Sequence, residues 1–324
     1  IIDNIHQYAQ QVNYFSPEFQ NQIQNANTIG ALQGLLGANY TDQELAYRGL
    51  DRKNFNMQIG QSKLNNHQLF ANIEIPVSDN WKVYTFGGFS ARNGTSGGFY
   101  RRPNQSRTFT GIYANGYLPQ IWTNILDVSL AAGIKGKWNG WNIDLSNTFG
   151  QNSFDYTIKN TGNTSLRFAS PSEFDAGGLK FSQNTINLDF SKKYDVLEGL
   201  NVAFGAEHRY ENFEINAGEA ASYTAYDING NPQTQTKTNS IKPTDFFGNL
   251  LPGGSQVFGG FRPENTVDKN RQSVAGYVDL EMNFTNWLLV NAAARYENYS
   301  DFGSTFNYKI ASRVKLADNF NFRF

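Results

Sequence analysis

The chain has 324 residues, 15% of them aromatic and 17% charged, with a net charge of -1 and a mean hydropathy of -0.53. No run approaches the ~20 consecutive apolar residues of a membrane helix, so a membrane role requires a barrel, the other structure that satisfies its backbone in lipid. The near-zero charge points to no nucleic-acid partner, and the absence of cysteine excludes thiolate metal sites, disulfides and a cysteine nucleophile.

At the N-terminus, IIDNIHQYAQQ lacks the charged-then-apolar pattern of a signal peptide. Residues 1–52 read as a long loop with one short helix around Thr41–Arg48. Beyond them, apolar and polar residues alternate with period two, as half-buried strands do. The alternation predicts ten strands at 53–76, 81–91, 124–138, 141–157, 182–194, 200–214, 270–284, 288–299, 305–316 and 320–324. One face carries Leu130, Leu145, Leu188, Phe204, Leu280 and Val290 with their same-parity neighbours, and these apolar runs contain no charged residue. A basic residue on the lipid face at mid-bilayer costs roughly 2–4 kcal/mol, so this face is expected to meet lipid. The opposite face holds Asp127, Asp144, Asp189, Glu207, Arg209, Asp279, Glu281 and Arg295, and is expected to line a lumen. A soluble β-sandwich also alternates, but its apolar face meets a second sheet.

Turn lengths bear on that choice, because side-chain parity fixes how many residues a hairpin loop contains. Asn139-Gly140 between Trp138 and Trp141 is a two-residue type I′ signal, and the apolar parity switches across it. Ser78-Asp79-Asn80, Thr285-Asn286-Trp287 and Ala317-Asp318-Asn319 are three-residue loops across which parity is kept. The alternate connections, 92–123, 158–181 and 215–269, are long and irregular; only the link near 300–304 is short. Short turns at one end, flanked by Trp and Phe, and long loops at the other are the pattern of an outer-membrane barrel. The expected fold class is therefore all-β, a partial antiparallel transmembrane β-barrel. The first strand starts from the long-loop side and the last stops at Phe324, short of the ~9–11 residues of a membrane strand. A truncated, unclosed barrel is expected, although Phe320, Phe322 and Phe324 imitate a closing strand.

Candidate chemistry is sparse. His6, His67 and His208 share no ligand spacing, so no metal site and no cofactor is expected. The carboxylate pairs Asp279 with Glu281 and Glu207 with Glu211 have the residue types of a glycosidase, but Arg295 shares their face and favours an ion-pair network. Tyr100, Arg101, Arg102 and Asn104, in the 92–123 loop, combine two guanidinium groups with an aromatic ring. Arg binds oxyanions bidentately, which makes these four the candidate ligand-binding residues.

The stretch RQSVAGYVDLEMNFTNWLLVNAAARYENYSDFGSTFNYKIASRVKLADNFNFRF (271–324), above all RYENYSDFGSTFNYKIASRVKLADNFNFR (295–323), resembles the barrel of TonB-dependent outer-membrane receptors. GFYRRPNQSRT (98–108), SNTFGQNSFDYTI (146–158) and FDAGGLKFSQNT (174–185) are also similar to that family, of the Bacteroidetes type. The resemblance implies a 22-stranded barrel in the Gram-negative outer membrane, surrounded by lipid. It implies a plug domain before Ile1 that contacts the TonB complex, neither plug nor TonB box being part of this chain. It implies uptake, without enzymatic activity, of an extracellular small molecule or chelate: siderophore-iron, cobalamin or a glycan. The rival expectations are a passive porin-like channel and a secreted all-β glycan-active enzyme.

Overall fold

The structure, a computed structural model, describes residues 1–37, 40–55, 57–58, 62–233 and 241–324. The ten strands are β1 (Ser62–Pro76), β2 (Trp81–Gly97), β3 (Gln120–Trp138), β4 (Trp141–Lys159), β5 (Glu173–Tyr194), β6 (Leu200–Ala217), β7 (Val267–Asn283), β8 (Leu288–Tyr299), β9 (Gly303–Ala317) and β10 (Phe320–Arg323). They form one antiparallel meander in sequence order, with β1 and β10 as its edges, so the sheet is an open arc of a barrel. The fold is that of a partial transmembrane β-barrel.

The predicted strands match these elements except near the long loops. β1 starts at Ser62 rather than 53: Arg52–Phe55 is a turn of 3-10 helix, and positions 56 and 59–61 lie outside the described residues, as do 234–240 of the third long loop. β2 runs on to Gly97 and β3 begins at Gln120, pairing through the polar stretch Asn93-Gly94-Thr95. β5 begins at Glu173 rather than 182, because a bulge opposite Tyr156 and Thr157 carries the ladder past Gly177, which has φ 83°. A bulge breaks period-two parity, so alternation alone cannot follow a strand through it.

The registers sort the side chains as the alternation predicts. On the apolar face Leu145 lies opposite Leu188, Val202 opposite Leu280, and Met282 opposite Val290. On the polar face Asp144 lies opposite Asp189, and Tyr277 opposite Arg295. Among the described residues no second sheet covers the apolar face, and Leu130 is 50%, Leu280 43% and Ile310 74% exposed, which removes the sandwich reading. Two amides, Asn147 and Asn184, interrupt that face and satisfy each other, Nδ2 of each donating to Oδ1 of the other at 2.9 and 3.1 Å. The Asn139-Gly140 turn has φ of 48° and 81°, both positive as type I′ requires, and it sets Trp138 opposite Trp141.

The N-terminal segment departs most from expectation. In place of a loop with one helix, it forms α1 (Ile2–Gln11), α2 (Pro17–Asn25), α3 (Ile29–Leu36) and α4 (Asp42–Tyr47). Ser16, Thr28 and Thr41 cap the last three, their hydroxyls accepting from the backbone N–H of Phe19, Ala31 and Glu44 at 3.1, 3.1 and 3.2 Å. Ile5, Phe15, Phe19, Ile23, Leu32 and Leu36 form a small core of its own. At its edge Glu44 and Arg48, 2% and 1% exposed, pair at 2.8 Å, and the guanidinium lies 4.1 Å from the centre of the Tyr40 ring. A buried pair needs further partners to offset desolvation, and the Ser16 N–H and the surrounding rings supply them.

The two-faced sheet yields a direct test. Leu188→Arg places a charge in the apolar band and is expected to destabilise the membrane-inserted state by roughly 2–4 kcal/mol, whereas Thr148→Arg on the polar face changes little. Reversible denaturant titration in lipid vesicles measures both, and equal effects would contradict the assignment of faces.

Candidate functional site

The polar face is organised by ion pairs and by tyrosines that reach across glycines. Arg295 donates from Nη2 to Glu207 at 2.9 Å and from Nε to Glu297 at 3.3 Å, while Arg209 donates to the same Glu207 oxygen at 2.7 Å. Arg271 donates to Glu211 at 2.9 Å, and Arg92 to Asp127 at 3.2 Å. Asp279 accepts from the Asn291 amide at 2.8 Å. Asp144 and Asp189 face each other across β4 and β5, an arrangement that repels unless each charge is met. The Tyr84 hydroxyl donates to Asp144 at 2.8 Å and the Tyr277 hydroxyl to Asp189 at 2.5 Å. Each ring crosses a glycine: a Cβ on Gly133 or on Gly205 would lie 2.6 Å from the Tyr84 or Tyr277 ring. The expected lumen-facing residues Asp127, Asp144, Asp189, Glu207, Arg209, Asp279, Glu281 and Arg295 thus share one face by register, and the arginines hold Glu207 and Glu211 in ion pairs. Near the short turns this face bounds a hollow of about 720 Å³ lined by Lys82, Lys135, Asp144, Asp189 and Tyr277.

At the other end, the described loop residues 98–119, 160–172, 218–233 and 241–266 fold into one layer. Buried polar side chains satisfy their irregular backbone. Asn163 Nδ2 donates to the carbonyls of Ala221 and Thr224, both at 2.8 Å; the Thr164 hydroxyl donates to the Pro252 carbonyl at 2.8 Å; Gln256 N–H donates to Thr161 at 2.9 Å. The helical unit docks on this layer through Asn104, whose amide donates to the Tyr40 hydroxyl at 2.9 Å, and through Tyr8, whose ring lies 4.3 Å from that of Phe246.

The four candidate ligand residues separate here. Tyr100 donates to the Asn115 carbonyl at 2.8 Å and meets the Phe55 ring at 4.8 Å. Asn104, at φ 57°, is buried, its amide committed to Tyr40 and its carbonyl accepting from Thr110 at 3.2 Å. Arg102 is exposed. Arg101 is half-buried and lines a cleft of about 400 Å³ together with the Pro252–Gly260 segment. Sequence reasoning missed a second cleft of about 440 Å³, lined by Tyr8, Phe109, Phe168, Phe246 and Phe247. Arg167, a non-glycine residue at φ 52°, turns the chain there, leaving Phe168 75% exposed and edge-on to Phe109 at 4.8 Å. Aromatics scattered over three loops and the helices carry no local signal of that cluster.

Neither a protein-family model nor a curated protein matches the chain. Solved structures do. The siderophore receptor PirA from Acinetobacter baumannii is 13% identical, with 82% of this chain and 33% of that one covered at a TM-score of 0.49. The ferric enterobactin receptor PfeA from Pseudomonas aeruginosa is 8% identical, with 82% and 33% covered at 0.49. The RagAB peptide transporter is 11% identical, with 78% and 30% covered at 0.50. The chain spans about a third of the length of these proteins. The likeness to the transporter is one of fold: this chain has the architecture of part of an outer-membrane β-barrel.

Docking through Tyr40 predicts a response to alkali. Burial pushes the Tyr40 phenol up to about 12, and burial also raises Tyr8 and Tyr14 above the ordinary 10.0. Between those values the unfolded segment releases protons that the folded one retains, so the stabilisation is complete below about pH 10 and lost as pH rises through about 12. Tyrosinate absorbance and far-ultraviolet circular dichroism are expected to show helix loss coupled to late phenol ionisation, and Tyr40→Phe to lessen it. Ionisation at the ordinary pH with unchanged helicity would refute the coupling.

Proposed function

We propose that the chain is part of a TonB-dependent receptor barrel in the outer membrane of a Gram-negative bacterium, taking up a scarce nutrient from outside the cell. The observation that carries this is the open antiparallel arc itself. Its uncovered apolar face suits lipid, its opposite face is laced with ion pairs, and its folded loops stand at one end. In this reading the loop end faces outward and receives the ligand, and the polar face lines the passage beside a plug domain. Energy reaches the plug from the TonB complex in a barrel of 22 strands. The ligand is of the siderophore-iron, cobalamin or glycan class, and the residues bind and guide rather than catalyse. The resemblance of residues 271–324 to that receptor family supports energised uptake over passive diffusion.

Intact cells expressing the full-length protein test this. Accumulation of labelled ferric siderophores, cobalamin or oligosaccharides is expected to stop when the proton-motive force is collapsed, and persistence would identify a passive channel instead. Arg101→Ala with Arg102→Ala is expected to weaken surface binding by about 1–3 kcal/mol for each charge-assisted bond lost, with barrel assembly intact. Unchanged affinity would remove this loop from the ligand site.

A further inference from the structure

The cleft beside Arg101 carries three arginines, Arg101, Arg107 and Arg262, and no carboxylate lines it. Among the described residues none of the three forms a salt bridge, and Arg101 Nε is buried without a hydrogen-bond partner. Burial holds the Arg101 guanidinium below its ordinary value, and the Arg107 charge adds to that while Tyr117 opposes it. The wall facing these cations is glycine-rich backbone with an unusual gap in its hydrogen bonding. Gly254 N–H donates to the Thr224 carbonyl and Gly260 N–H to the Ser222 carbonyl, at 3.2 Å each. Between them the N–H groups of Val257, Phe258 and Gly259 donate to no group among the described residues. Val257 sits at φ 79°, a left-handed conformation that a β-branched residue rarely adopts. Successive free N–H groups about a left-handed residue are the geometry of backbone anion nests.

We propose that this cleft binds a multiply charged oxyanion, a phosphoryl group above all, carried by a ligand arriving at the loop end. A phosphoryl group offers three peripheral oxygens, enough to accept from a guanidinium fork and from a run of N–H groups together; a carboxylate offers two. The volume of about 400 Å³ falls within the ~300–1,000 Å³ of small-molecule sites. The inference deepens the uptake reading and rests on it for the direction from which the ligand comes.

Isothermal titration of the full-length protein in detergent with pyrophosphate tests it, with citrate as the carboxylate comparison. Saturable one-site binding is expected, weakened by added salt and stronger for pyrophosphate than for citrate. Arg101→Gln is expected to weaken it roughly tenfold or more, and Arg101→Lys to weaken it too, since an ammonium lacks the planar fork. Arg107→Gln and Arg262→Gln, at exposed positions, carry the test if the Arg101 variants do not assemble. No saturable binding of pyrophosphate, or binding indifferent to all three arginines, overturns the proposal. Displacement of pyrophosphate by lipopolysaccharide vesicles would assign the phosphoryl group to a lipid headgroup; retention would assign it to a soluble ligand. Because binding is read on the purified protein, pyrophosphate binding together with a failure of cells to accumulate nutrient overturns only the uptake reading. Intact uptake without pyrophosphate binding overturns only this one.

Discussion

The strands of this sheet carry one apolar face and one charged face, and the strand register keeps the two apart. A slip of one residue would carry Asp144 and Asp189 to the apolar face and Leu145 and Leu188 to the polar one. The short turns guard against that slip. Asn139-Gly140 admits only the pairing of Trp138 with Trp141, and the three-residue turns return Val77 N–H to the Trp81 carbonyl and Phe284 N–H to the Leu288 carbonyl. The polar face then has to absorb the charge crowded onto it. It does so with tyrosines laid across glycines and arginines shared between glutamates, so that the juxtaposed aspartates do not open the ladder.

The long loops answer a different requirement. Irregular backbone away from water must find partners outside a ladder, and here buried Asn and Thr side chains supply them. Asn163 ties the 160–172 loop to two carbonyls of the third loop, and Thr161 reaches the same loop at Gln256. Asn104 joins the helical unit to the layer at Tyr40. The loop end is thereby a shaped surface, able to hold clefts open and to keep side chains at set positions.

Two groups of arginines differ in a related way. Arg92, Arg209, Arg271 and Arg295, on the sheet, each answer to a carboxylate. Arg101, Arg107 and Arg262, in the loop layer, line a cleft without one. A paired guanidinium is neutralised within the structure, whereas one facing a cleft without acids keeps its attraction for an anion from outside. Under the uptake proposed above, that contrast distinguishes arginines neutralised on the sheet from arginines available to an anionic ligand.

Much of the strand plan was legible in the sequence, because strands with one apolar and one polar face must alternate strictly and hairpin loops must respect parity. Leu130, Leu145, Leu188, Leu280, Asp144, Asp189 and Arg295 could be assigned to faces on that ground alone. Alternation failed where the ladder departs from period two: at the bulge by Gly177, which hid the start of β5, and in the glycine-rich end of β2. The capped helices were written locally, in Ser16-Pro17 and in Thr28, but polar capping residues in an Asn- and Gln-rich segment look like loop until their core is seen. Arg101 stood out in the sequence because of its neighbour Arg102. Its partners in the cleft, Arg262 and the Val257–Gly259 backbone, come from a loop far along the chain, and their common address is decided only when β2, β3, β6 and β7 bring the two loops to one end of the sheet. Periodicity is a local property that a chain must display residue by residue, whereas convergence of loops depends on how many strands separate them and on the side chains that bind them together.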